Sequence, residues 1–156
     1  MDGASELVHA TAIAVGADAA LIRGASGAGK SDLALRCLAY SASSLITEAP
    51  RLVSDDQVIL TRAGATIEAR APETIRGKLE VRGVGIVTLP SVFKARVRLV
   101  VELTAPGGYP RLPDPEATTH ILGLSLPIVR LAPFEVSAPE KLLLALVAAA
   151  RPQPAD

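Results

Sequence analysis

The chain has 156 residues, of which 49% are hydrophobic, 21% charged and 3% aromatic, with a formal net charge of zero. That length and composition suit one globular domain, residues 1–156, whose core is filled by Val, Leu, Ile and Ala. A neutral balance and few aromatics argue against a general nucleic-acid binder or a membrane-surface protein.

Residues 7–15 alternate loosely and read as a strand. Gly16-Ala17-Asp18 is turn-like, and residues 19–23 return as a second strand. Gly24-Ala25-Ser26-Gly27-Ala28-Gly29-Lys30-Ser31 follows and satisfies G-x-x-x-x-G-K-[ST], the phosphate-binding loop. Glycines without Cβ atoms let backbone N–H groups close on an anion. Lys30 supplies a mobile charge for the β/γ-phosphates, and Ser31 a hydroxyl for Mg²⁺. From Ser31 the apolar residues recur at helical spacing, to an end near Tyr40. A loop between strand and helix aims the helix N-terminus at the phosphates. The competing reading of the same residues is a glycine-rich turn capping a helix.

Residues 41–50 form a polar connection, and residues 51–54 and 58–61 are strand pieces flanking Asp55-Asp56. A nucleotide site needs a carboxylate there to hold Mg²⁺, and a second could accept a proton from an attacking hydroxyl. Adjacent strand residues point to opposite faces, so that division of labour requires an irregular backbone. Residues 65–70 give another strand after the Gly64 turn. Glu80 and Arg82 straddle Val81 and share one side of a strand, and Gly83 and Gly85 suggest a close backbone approach. Residues 86–89 read as a strand, and 95–103 as the strongest strand of the chain. Residues 104–115, rich in Pro and Gly, form a long loop suited to function or mobility and carry Arg111. Residues 127–131 are a last strand and 138–150 a helix, with a disordered tail expected over 151–156.

Cys37 is the one cysteine, so no disulfide framework forms within the chain, and a reducing cytoplasm fits. One Cys and two His residues cannot alone build a metal cluster. His9 could sit near the phosphates or be tucked into the sheet, whereas His120 reads as structural. The N-terminus lacks a signal-peptide pattern, and the uncharged run at 142–150 is too short to cross a bilayer. Many strands with two helices do not fit a doubly wound fold. The expected fold class is α/β, a strand-rich domain carrying a phosphate loop.

The ordered set Val8-His9-Ala10-Thr11, Gly24 to Ser31, Leu52-Val53-Ser54-Asp55-Asp56, Leu79-Glu80-Val81-Arg82-Gly83-Val84-Gly85-Ile86-Val87 and Arg111-Leu112 resembles the catalytic domain of the HPr kinase/phosphorylase family. The resemblance runs from residue 6 to about 147, and its L-E-V-R-G-x-G-I-V segment is the most specific part. It implies a nucleotide-binding core like that of phosphoenolpyruvate carboxykinase. It also implies ATP-dependent phosphorylation of a serine on HPr, the small phosphocarrier of a bacterial phosphotransferase system, and a reverse phosphate-consuming reaction. By the same resemblance Lys30 and the loop amides of Gly24, Ala25, Ser26, Gly27, Ala28 and Gly29 bind ATP. Ser31 and Asp56 serve the Mg²⁺ ion, with Glu80 near it. Asp55 is base and acid, His9 supports the phosphate and Asp55, and Arg111 contacts phosphate from the loop. The partners implied are HPr and further copies of the chain, as a hexamer, with no nucleic acid and no membrane.

The chain departs from the family in two places. Arg111-Leu112-Pro113 replaces Arg-Leu-Gly, and the last helix is short. The family's long form has a further N-terminal domain, and this chain resembles the short form. Two other function classes are open: a non-catalytic ATP sensor that signals through a partner, and a small-molecule kinase.

Overall fold

Arg51–Ser54 and Asp18–Arg23 both run antiparallel to Thr11–Val15, which lies between them, so the first two end at the same edge of the sheet. This relation, in a computed structural model describing residues 2–152, is what brings the phosphate loop beside Asp55. In chain order the strands are β1 (Ser5–Val8), β2 (Thr11–Val15), β3 (Asp18–Arg23), β4 (Arg51–Ser54), β5 (Val58–Ala63), β6 (Thr66–Arg70), β7 (Lys78–Val81), β8 (Gly85–Thr88), β9 (Lys94–Leu103), β10 (Thr118–Ile121) and β11 (Leu124–Leu131). The helices are α1 (Lys30–Leu38) and α2 (Ala138–Ala150), and a short 3₁₀ turn covers Glu73–Ile75.

The main sheet runs β1-β5-β6-β9-β3-β2-β4, and β7-β8 form a separate hairpin. β9 pairs with β3 along one edge, while its other edge divides. Lys94, Ala95 and Arg96 pair with β6, and Val100 to Leu103 pair with β11. Opposite Ala19 and Ala20 of β3, β9 carries one extra residue, Arg98, between Val97 and Leu99. A one-residue bulge reverses which face each later side chain occupies. Val97 therefore packs in one core and Leu99 in the other, with Val100 returning to the first. The first core contains Leu21, Val53, Leu60 and Ile67; the second lies under the helices and contains Ile22, Leu33, Leu142 and Leu146. With both faces covered, β3 reads as an unbroken apolar run rather than an alternation. Each such fully buried aliphatic side chain contributes about 1.5–3 kcal/mol.

Three expectations are corrected. Residues 7–15 are not one strand: β1 pairs with β5 and β2 with β3 and β4, and the chain bends at His9-Ala10 between them. The last strand starts at Leu124 rather than 127, and β10, which the sequence reading left out, pairs with it through a turn at Leu122-Gly123. Both turn residues have positive φ, 49° and 83°, as a two-residue hairpin of matching twist requires. Third, a Cβ placed on Gly83 or Gly85 would meet nothing within 4 Å, so neither glycine serves a close approach. Their φ values of 83° and 120° serve the β7–β8 turn instead.

Helix α2 spans 138–150 as the apolar spacing predicts, and α1 ends two residues before Tyr40. Arg151 leaves α2 in an extended conformation, and 153–156, the rest of the expected disordered tail, lie outside the described residues. No helix among the described residues is long and apolar enough to cross a membrane.

Candidate functional site

Strand β3 feeds the loop 24–29, which turns directly into α1. Ala28 N–H donates to Ala25 O at 3.0 Å, and Gly27 and Gly29 adopt φ of 79° and 105°. Gly29 is required twice. Its φ is left-handed, and a Cβ there would lie 2.9 Å from Phe134 Cζ. As N-cap of α1, Gly29 offers no side-chain acceptor, so the first helical N–H groups remain available to an anion. Lys30 is 6% exposed. Its ammonium donates to Gly24 O at 2.7 Å and Ala25 O at 2.9 Å, lying back across the loop.

Asp55 follows β4 and is also 6% exposed. Its Oδ1 accepts from Ser31 Oγ at 2.6 Å and from Thr11 Oγ1 at 3.0 Å. Thr11 is fully buried, and the same hydroxyl accepts from Asp56 N–H at 3.3 Å. The backbone irregularity that two working carboxylates require is present: Asp56 has φ 68°, a left-handed conformation that Asp tolerates. Gln57 N–H closes the turn on Asp55 O at 2.8 Å, and Ser54 Oγ donates to Gln57 O. Asp55 thus points inward while Asp56 is exposed. His9, at the bend before β2, puts Nε2 3.3 Å from Asp56 Oδ1. Both side chains are more than half exposed, so this pair contributes at most about 1 kcal/mol.

A cavity of about 550 Å³ joins these groups, lined among others by His9, Lys30, Ser31, Asp55, Asp56 and Glu80. Glu80 comes from β7, whose neighbour Leu79 is buried and anchors the hairpin. Arg82, in the turn that follows, lines the same cavity.

The sequence-predicted residues therefore converge, with three differences. His9 contacts Asp56 rather than Asp55. Ser31, paired with Asp56 in the expectation, is bonded to Asp55. Arg111 is exposed and does not line the cavity. Its loop is held at Tyr109, whose hydroxyl donates to Glu135 Oε1 at 2.5 Å and accepts from Lys141 Nζ at 3.1 Å. His120 lies exposed on β10 and outside the cavity, so it neither joins the site nor is tucked into the sheet.

Two residues were missed. Thr11 lay within the V-H-A-T run but had no assigned role, because its contact with Asp55 forms only once β2 and β4 pair. Phe134 follows Ala132-Pro133 after the last strand and lines the cavity while 69% exposed. Arg36 of α1 fixes the segment around Phe134 by donating to Pro133 O and to Glu135 O at 3.3 Å.

The family model for the HPr Serine kinase C-terminal domain matches residues 3–151. The chain is 37% identical over 142 residues to an HPr kinase/phosphorylase of Bordetella pertussis, covering 84% of this chain and 42% of that protein. It is 34% identical over 125 residues to one of Xylella fastidiosa, covering 71% and 37%. The chain thus spans about two fifths of the length of these curated relatives. The solved structure of the Hpr(Ser) kinase/phosphatase from Coxiella burnetii superposes with a TM-score of 0.72 at 25% identity, covering 92% of this chain and 94% of that one. The phosphate loop beside an inward Asp55, on a strand-rich α/β sheet of that same fold, agrees with the family match, and the chain belongs to the HPr Serine kinase C-terminal domain family.

Proposed function

We propose that the chain transfers the γ-phosphoryl group of ATP to a serine hydroxyl of HPr, and removes it again with inorganic phosphate. The observation that carries this reading is Asp55, whose Oδ1 is fixed by Thr11 and Ser31 beside the phosphate loop. Oδ2 makes no hydrogen bond among the described residues, which leaves it for an incoming hydroxyl. A carboxylate so oriented accepts the serine proton as Oγ bonds to the γ-phosphorus and the bond to the β-bridging oxygen breaks. In the reverse direction a phosphate oxygen bonds to the phosphoserine phosphorus, the Oγ–P bond breaks, Asp55 returns the proton, and pyrophosphate leaves. Lys30 exchanges its two neutral carbonyl partners for anionic phosphate oxygens, which keeps the ammonium hydrogen-bonded and adds a charge pair.

Mg²⁺, when bound, neutralises charge on the β- and γ-oxygens. Asp56, Glu80 and the Ser31 hydroxyl would hold it, and all three are hard oxygen donors on the cavity wall. Among the described residues no three His, Cys, Asp or Glu side chains form a cage. That fits a metal bound by one or two carboxylates together with substrate phosphates. On the same reading the described residues act as one catalytic domain in the cytoplasm of a bacterium, as a homo-oligomer that is a hexamer by family resemblance.

The test is direct. The protein is incubated with Mg-ATP and the HPr of its own organism, and intact mass is measured. One added phosphoryl group on HPr, at serine, is expected. ATP binding with no change in HPr mass would replace the kinase reading with that of a nucleotide sensor.

A further inference from the structure

A second cavity of about 450 Å³ lies on the other side of the phosphate loop. Ser26, Gly27, Gly29 and Lys30 face the acidic cavity, whereas Ala25 and Ala28 line this one. Phe134 lines both and sits against Gly29. The remaining wall comes from the end of β9, the start of the 104–117 loop and the segment after β11, and it is mostly apolar: Leu103, Ala105, Pro106, Ala132 and Pro133. A triphosphate seated on the loop amides with its transferable end at Asp55 must carry its other end away from Asp55. This cavity is the concave surface found there.

The wall has little left with which to read a polar edge. Pro106 and Pro133 have no N–H to donate. Ala105 O accepts from Gly108 N–H at 2.9 Å, Ala132 O from Glu135 N–H at 3.4 Å, and Pro133 O from Arg36. Thr104 Oγ1 donates to Ala105 O at 3.1 Å. The Glu135 carboxylate is occupied by Tyr109 and by Lys141 at 2.6 Å. Lys141 and Tyr109 accordingly hold that carboxyl below the usual carboxylate range.

We propose that this apolar cavity holds the nucleoside of the phosphate donor, gripping a purine by contact area against Phe134 and the alanine–proline wall with little discrimination between bases. The proposal rests on the phosphate-loop reading above. Discrimination by orders of magnitude arises where a site leaves hydrogen-bonding groups unpaired by the wrong ligand, and here the Ala105, Ala132 and Pro133 carbonyls and the Glu135 carboxylate already have partners within the protein. Tyr109 takes on a purpose in this arrangement. By tying the loop to Glu135 and Lys141 it fixes the wall formed by Ala105 and Pro106.

The test is calorimetric titration of the full chain with Mg-ATP, Mg-GTP and inorganic tripolyphosphate, repeated on Ala105→Trp and Phe134→Ala. Ala105 is exposed in an irregular segment, so tryptophan fills the cavity without entering the core. In the parent, ATP and GTP should bind within about tenfold of each other. Each variant should weaken ATP by about tenfold or more, the worth of one lost stacking surface. Tripolyphosphate, which has no nucleoside, should bind both variants as it binds the parent. Undiminished ATP affinity in both variants, equal losses for ATP and tripolyphosphate, or strong rejection of GTP would each overturn the proposal. A parent that binds neither ATP nor tripolyphosphate would instead overturn the phosphate-loop reading, and this proposal with it.

Discussion

Thr11 and Asp55, 44 positions apart, share a fully buried hydrogen bond: Thr11 Oγ1 donates to Asp55 Oδ1 at 3.0 Å. The same hydroxyl accepts from Asp56 N–H, so one side chain sets both the carboxylate's orientation and the left-handed turn after it. Thr11→Val keeps the volume but removes the buried donor to Asp55 and leaves the part-buried Asp56 amide without its partner. A stability loss of about 1–3 kcal/mol is expected in urea unfolding. The rate of transfer should fall while ATP affinity is kept, and Thr11→Ser should restore both stability and rate in part. Unchanged unfolding and kinetics in Thr11→Val would remove Thr11 from the account.

Lys30→Ala should abolish transfer and weaken ATP binding without unfolding the chain. The structure alters the physical basis of this expectation. Lys30 is not on a solvated stem but buried, with its ammonium bridging Gly24 O and Ala25 O. Its removal also loosens the loop, at about 1.5–3 kcal/mol for bonds to a charged donor. Circular dichroism and thermal unfolding of the variant should report a folded, less stable protein; transfer equal to the parent would contradict the loop's catalytic assignment.

Cys37 gives a pH dependence whose sign is fixed. Burial, with a smaller push from Glu140 against an opposing pull from Arg36, raises its thiol from 9.0 to about 12. Between those values the unfolded chain releases the proton and the folded chain keeps it. Stability should therefore fall as pH rises from 9 towards 12. The slope should approach about 1.4 kcal/mol per pH unit. Tyr40, raised by its hydrogen bond to Glu140, adds a dependence of the same sign. Urea unfolding of Cys37→Ala against the parent across this range isolates the thiol, since the variant should lose that part of the slope. Native protein should also resist thiol alkylation at neutral pH and react once unfolded.

How much of this was legible in the sequence depends on range. The loop, α1, α2 and the Asp55-Asp56 turn are local patterns, and each stands where its spacing puts it. Local spacing left His9 and Glu80 open, and it was the resemblance to the family motif that assigned them to the site whose cavity they line. What stayed hidden was set by distant pairing. The bend at His9-Ala10 exists because two halves of one apolar run pair with different strands. The reversal of faces along β9 depends on a bulge defined only against β3. The β10–β11 hairpin was obscured by Pro127, which reads as a strand start yet sits opposite Thr118 at the far end of the pairing. Thr11 revealed its role only once β2 and β4 were side by side.

The loop bearing Arg111 makes a separate prediction. Tyr109 holds its middle, and Arg111 stands exposed two residues further on. With HPr docked, Arg111 is expected to reach the phosphates and help exclude water. Arg111→Ala should leave nucleotide binding nearly intact and cost transfer at most about 3 kcal/mol, as for one charged donor. Hydrogen exchange of residues 104–115 should show little protection alone, apart from the Tyr109 anchor, and more with HPr. Strong protection without HPr, together with parental kinetics in Arg111→Ala, would leave Arg111 a surface residue.

Asp55 is proposed to move the proton while Asp56 serves the metal. The measurement that tests it is the Asp55→Asn variant, with Mg-ATP affinity determined beside serine phosphorylation and dephosphorylation of HPr by intact mass. ATP affinity should be kept and both directions lost, since an amide holds the Thr11 and Ser31 contacts but cannot take or return the proton. Asp56→Asn should show the opposite order, with the Mg²⁺ requirement rising first. Transfer by Asp55→Asn at the parental rate, or a loss of ATP affinity as large as the loss of transfer, would contradict the account and move the base elsewhere.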